Sequence, residues 1–108
     1  LSPLSGASLV VDALFGTGLA RPLEGLAAQA AELCGIGGAF VVSVDLPSGL
    51  MAGSASLAGP HVTADLTVTF GTPKLAHLLL PSAAACGRPS RAAFSARSRS
   101  RAQSFISQ

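Results

Sequence analysis

Three short runs of the chain are apolar at nearly every position. They are residues 8–13 (SLVVDA), 39–45 (AFVVSVD) and 65–70 (DLTVTF), rich in β-branched and aromatic side chains. Short runs of this kind, bounded by turn signals, predict strands. Apolar side chains on both sides of the alternation predict strands covered on both faces, as in parallel sheets. Between the first two runs, residues 22–34 (PLEGLAAQAAELC) carry Leu23, Leu26, Ala27, Ala30 and Leu33 at helical spacing. That spacing predicts a helix with those side chains as its buried stripe. Pro22 suits a first helical turn, and Glu24 near it complements the helix dipole. Gly35, Gly37 and Gly38 follow and stop the helix. Strand, helix and strand of this length predict a right-handed crossover joining parallel strands.

Further along, LPSGL is a tight turn, residues 51–60 form a loop of small side chains, and GTPK ends the third strand. LAHLLL suits a short helical turn. Three strands and one good helix cannot cover both faces of a parallel sheet. The expectation is therefore an α/β fold, here incomplete, with further elements before Leu1. A first residue other than Met agrees with a fragment or a processed chain. From residue 87 the pattern changes to GRPSRAAFSARSRSRAQSFISQ. Neither period is present, and residues 88–108 are expected to be a disordered Arg/Ser tail.

Composition narrows the class. At 108 residues, 49% hydrophobic and 11% charged, the chain suits one small folded domain. The apolar runs are too short for a membrane span, and no signal peptide is expected. Cys34 and Cys86 lack the neighbours a zinc site needs; they read as buried thiols in a reducing cytosol, so a cytoplasmic protein is expected. The net charge of +2 conceals an asymmetry, because all five residues that give the last 21 positions their charge are arginines, while the preceding body is acidic. Those arginines suit phosphates, but no aromatic platform or folded reader accompanies them, so nucleic-acid binding is not expected.

The candidate chemistry lies at strand ends. Asp12 and Asp45 each close an apolar run. In neighbouring parallel strands both carboxylates would lie on one carboxyl edge, facing one crevice. Each acid alone could equally cap the turn that follows it. FGTGL is a glycine turn ahead of a helix, a geometry that suits anions. It is not the dinucleotide fingerprint, because Arg21 stands where a third glycine would fall. Arg21 suits a phosphate or a solvated surface. Ser48 suits a cation shared with a carboxylate, or a plain turn. Lys74 ends the third strand near the same edge, where it would neutralise the crevice or remain solvated. His61 and His77 read as structural or surface groups.

LVVDALFGTGLARPLEG, VVSVDLPSGL and ADLTVTFGTPK, in this order and spacing, resemble consecutive motifs of the NAD(P)H-hydrate epimerase family, the YjeF N-terminal domain. The resemblance runs from residue 8 to about residue 80 and makes residues 1–87 the distal part of such a domain. It implies a Rossmann-like, three-layer α/β/α sandwich around a parallel sheet. The implied activity interconverts the R and S epimers of hydrated NADH and NADPH in nicotinamide nucleotide repair. It further implies a potassium ion held by Asp12 and Ser48. Nucleotide contacts carry over to Gly16, Thr17, Gly18, Leu19, Ala20, Arg21 and Pro22, and to Asp45. Epimerisation at a carbinol carbon beside a ring nitrogen needs a proton donor and acceptor, and Asp45 is the candidate for that role. The implied partner is an ADP- or ATP-dependent dehydratase domain, fused or separate, with a homodimer left open. The family's asparagine- and glycine-rich motif would precede Leu1, so the chain is expected to have little activity by itself. A binding or scaffold module of the same fold is the competing reading; the joint presence of Asp12, Asp45 and Ser48 favours the enzyme lineage.

Overall fold

The strands β1 (Leu9–Asp12) and β2 (Phe40–Val44) pair in parallel, with α1 (Gly25–Cys34) crossing between them. This is a computed structural model, and it describes residues 4–93 and 103–106. β3 (Leu66–Phe70) pairs in parallel with the other side of β2, and two short helices follow, α2 (Leu75–Leu78) and α3 (Ser82–Ala85). The chain then enters β4 (Arg88–Ala93), parallel to β3, and β5 (Gln103–Ile106), antiparallel to β4. Strand order in the sheet is β1-β2-β3-β4-β5. The α/β class and the parallel crossover are as the sequence predicts. No described helix is long and apolar enough to cross a membrane.

Two expectations for α1 are corrected. The helix begins at Gly25, with Glu24 as its N-cap, and does not include Pro22. Gly25 sits at φ 56°, so helical geometry cannot continue back through it. The inward stripe is also rotated from the predicted one. Ala31 and Cys34 are buried and Ala27 packs beside them, whereas Leu26 is 82% exposed. A stripe of small side chains lets the helix lie close to Val10 and Val41 of the sheet.

The absence of regular structure after residue 87 is likewise corrected. Arg88 N–H donates to the Asp65 carbonyl at 2.9 Å, and the pairing runs from Leu66 opposite Arg88 to Phe70 opposite Ala92. An unpaired β3 edge would leave a row of main-chain donors and acceptors, and any non-helical chain can satisfy them. Pairing through the main chain needs no side-chain period. For residues 94–102 and 107–108 the expected tail lies outside the described residues.

The two faces of the sheet differ sharply. On one, α1 and the 46–64 loop cover Val10 and Val41, which join Leu23, Ala31, Cys34, Val62 and Ala64 in one core. A second core, Leu46, Leu50, Ala76, Ala85 and Cys86, seats α2 and α3. The register places Leu9 and Val11 beside Phe40, Val42 and Val44, and these beside Leu66, Val68 and Phe70, on the opposite face. All eight are apolar, and Leu9, Val11 and Phe40 are 55%, 58% and 51% exposed. The strands are apolar on both faces, and α1 covers one side only, as expected of an incomplete α/β fold with a single good helix.

Candidate functional site

Asp12 and Asp45 stand at the carboxyl ends of adjacent parallel strands, as their positions in the sequence predict. Their surroundings differ. The Asp12 side chain turns onto the covered face and is 1% exposed. Its Oδ2 accepts from Ser43 Oγ at 2.7 Å and from the Ser48 N–H at 2.8 Å. Its Oδ1 accepts from Ser48 Oγ at 2.5 Å and from the Leu14 N–H at 3.4 Å. A buried carboxylate is tolerated only when hydrogen-bonded in this way.

Ser48 links this carboxylate to the glycine turn. Its Oγ accepts from the Phe15 N–H at 2.9 Å and lies 3.3 Å from the Phe15 carbonyl oxygen. Gly49 fixes the turn that presents Ser48. It holds φ 103°, and a Cβ there would sit 2.2 Å from the Pro60 carbonyl oxygen, so no other residue fits without a backbone shift.

Asp45 lies just past β2 in the left-handed region, at φ 71°, the one non-glycine residue with positive φ among those described. Its N–H donates to the Val68 carbonyl at 2.6 Å. Its Oδ1 accepts from Thr69 Oγ1 at 3.1 Å and from Lys74 Nζ at 3.4 Å. Lys74 Nζ also donates to Thr69 Oγ1 and to the Phe70 carbonyl. Lys74 therefore sits beside Asp45, the first of the two alternatives its sequence position left open. Oδ2 faces the glycine turn, where a Cβ on Gly16 would come within 3.0 Å of it. Gly16 is half-buried, while Thr17, Gly18, Ala20, Arg21 and Pro22 are exposed around the rim and Leu19 packs toward the core. The turn does not run directly into α1, since Pro22, Leu23 and Glu24 intervene.

Three side chains of this edge were not singled out from the sequence as site residues. Ser43 and Thr69 carry no signal beyond their places in strands, and His77 reads as a structural or surface group, of which the structure bears out the first. His77 Nδ1 accepts from the Lys74 N–H at 2.8 Å, and its Nε2 is 2.8 Å from the Asp45 carbonyl oxygen. The only weak signal was the three-residue spacing from Lys74 to His77, which suits a helix start. Neither cysteine enters the site: both are buried, and burial pushes the Cys86 thiol up to about 11. Among the described residues, no three His, Cys, Asp or Glu side chains converge as a metal cluster.

Burial holds the His77 pKa below its ordinary 6.5, against the opposing pull of the Asp45 carbonyl. The unfolded chain therefore takes up this proton more readily than the folded one. The stability that neutral His77 contributes is full above pH 6.5 and is lost as pH falls through the lowered folded value. Urea titrations between pH 7.5 and pH 5 should show a steeper loss for the wild type than for His77→Gln; parallel losses would show that His77 does not couple to folding.

The YjeF-related protein N-terminus family matches residues 2–76. The bifunctional NAD(P)H-hydrate repair enzyme Nnr of Thermofilum pendens is 51% identical over 80 residues, covering 74% of this chain and 15% of that protein. The NAD(P)H-hydrate epimerase of Rhodobacter capsulatus is 49% identical over 78 residues, 70% of this chain and 36% of its own length. That of Limosilactobacillus fermentum is 45% identical over 67 residues, 62% of this chain and 32% of its own length. The chain thus spans little more than a third, or less, of these relatives. With the family match covering most of its length, this chain belongs to the YjeF N-terminal family of NAD(P)H-hydrate epimerases.

Proposed function

We propose that the chain carries the carboxyl-edge portion of an epimerase site that interconverts the R and S forms of hydrated NADH and NADPH. The observation that carries this reading is the opposition of Asp45 and Gly16. One carboxylate oxygen is tied to Thr69 and Lys74, and the other lies against the glycine turn, where a side chain at residue 16 would crowd it. A nucleotide lying along residues 16–22 would bring its carbinol carbon to that oxygen. Asp45 then takes the hydroxyl proton as the carbinol C–N bond opens to an aldehyde and gives that proton to the released ring nitrogen; re-closure of the nitrogen on the other face of the aldehyde, with the two proton transfers reversed, inverts the carbon.

Potassium takes oxygen ligands, and the donor chemistry here suits it. The Asp12 carboxylate, the Ser48 hydroxyl and the Phe15 carbonyl are mutually close, all oxygen. Asp12 and Ser48 would hold the ion, which when bound supplies positive charge at the base of the turn. The side chains themselves fix the turn: Ser48 ties Phe15 to Asp12 and so sets the distance from the Gly-Thr-Gly segment to Asp45. A dehydratase acting on the S epimer is the partner this activity would serve, and the bifunctional relatives carry a repair-enzyme name that accords with it.

The test is complementation. The chain would be joined behind the segment that precedes the matched region in the Limosilactobacillus fermentum epimerase. It would then be assayed on R-hydrated NADH with potassium and an S-specific dehydratase. The joined protein should turn over and the 108-residue chain should show little activity. No turnover by a folded joined protein would overturn the proposal and favour a binding module.

A further inference from the structure

Asp45 occupies a conformation that side chains rarely adopt, and something must keep it there. Its N–H is tied to the Val68 carbonyl and its carboxylate to Thr69 and Lys74, and its carbonyl is held by a single imidazole. Because His77 Nδ1 accepts from the Lys74 N–H, the ring proton must sit on Nε2, which then donates to the Asp45 carbonyl. One ring thus bridges the main chain at the start of α2 to the main chain just past β2, 32 positions away in the sequence. From the same start, the Lys74 side chain returns to the Asp45 carboxylate and is braced on the Phe70 carbonyl.

We propose that His77 is a positioning residue for Asp45, fixing its backbone so that Thr69 and Lys74 take one carboxylate oxygen and the other faces Gly16. This rests on the reading of Asp45 as the acid that meets the nucleotide. The charged or titratable groups that face the ring are Lys74, from its own helix start, and Asp45, from the end of β2. The ring contacts the Asp45 carbonyl rather than its carboxylate, so its effect on the carboxylate passes through the backbone and through Lys74.

Two conservative variants separate the halves of the bridge. Glutamine places its amide N–H near the position of Nε2 and keeps the bond to Asp45. Asparagine places its oxygen near the position of Nδ1 and keeps only the bond to Lys74. In the 108-residue chain, ring nitrogen NMR at pH 7.5 should show a single Nε2–H tautomer; a mixture of tautomers would overturn the proposal. His77→Gln should leave the Asp45 carboxyl carbon resonance near its wild-type position. His77→Asn should move it, with the Val10 and Val41 core signals unchanged in both. In the joined protein, hydrated NADH should bind the glutamine variant within about twofold of wild type and the asparagine variant about tenfold or more weakly. An asparagine variant with wild-type Asp45 signals would also refute the proposal. If the Asp45 signals move as expected while hydrated NADH binds none of the proteins, the positioning role stands and the nucleotide reading falls.

Discussion

Asp45→Asn in the joined protein is expected to lower epimerase turnover about 10²–10⁴-fold, the usual range for loss of a general acid–base group. The substitution is nearly isosteric. Asparagine tolerates the left-handed φ of 71° that this position demands. Its amide oxygen can still accept from Thr69 Oγ1. What it cannot do is accept the hydroxyl proton at the oxygen facing Gly16. The loss should therefore fall mainly on kcat, with KM changed less. The lost ion pair with Lys74 spans 3.4 Å with both side chains partly exposed, so its stability contribution is small. A circular dichroism spectrum and a urea midpoint close to wild type would accompany the kinetic loss. Turnover within about threefold of wild type would remove Asp45 from proton transfer.

The largest effect on stability should come from Asp12→Ala. The carboxylate receives hydrogen bonds from Ser43 Oγ, from Ser48 Oγ and from the Ser48 N–H. With Asp12 at 1% exposure and Ser43 and Ser48 at 0%, water cannot readily replace it. Each buried donor left without a partner costs about 1–3 kcal/mol. Relief of the carboxylate's own desolvation offsets part of this. The net expectation is a loss of about 2–4 kcal/mol, read as a lower urea midpoint at neutral pH. That is a large fraction of the stability of a domain this size. The turn would also lose its anchor through Ser48 to Phe15. Asp12→Ala with a wild-type midpoint would mean that the two serines find other partners.

The strands and their crossover were legible because β-branched runs of four or five residues do little else in a folded chain. The strand-end acids were legible for the same reason: Asp12 and Asp45 interrupt runs that otherwise have no charge. The inward face of α1 was legible only in part: Ala27 belongs to the predicted stripe, whereas Ala31 and Cys34 do not. Leu26 is the more apolar residue, yet Ala27, Ala31 and Cys34 face the sheet, because the sheet selects small side chains for close approach. β4 was hidden by the nature of its pairing, which runs through main-chain groups and leaves no side-chain period to read. His77 was hidden because its partner is a carbonyl supplied by a distant turn, and no side-chain pattern records a carbonyl. Ser43 was hidden because a strand hydroxyl acquires its role only once β1 lies beside it.

The wholly apolar face formed by Leu9, Val11, Phe40, Val42, Val44, Leu66, Val68 and Phe70 has a thermodynamic consequence. A surface that gains by being covered makes folding a linked equilibrium. Anything that settles on the face binds the folded state in preference to the unfolded one and raises the melting temperature by mass action. At a hundred times its dissociation constant, such an occupant adds about 2.7 kcal/mol. With such an occupant present, a melting midpoint would depend on its concentration and would not transfer from one mixture to another.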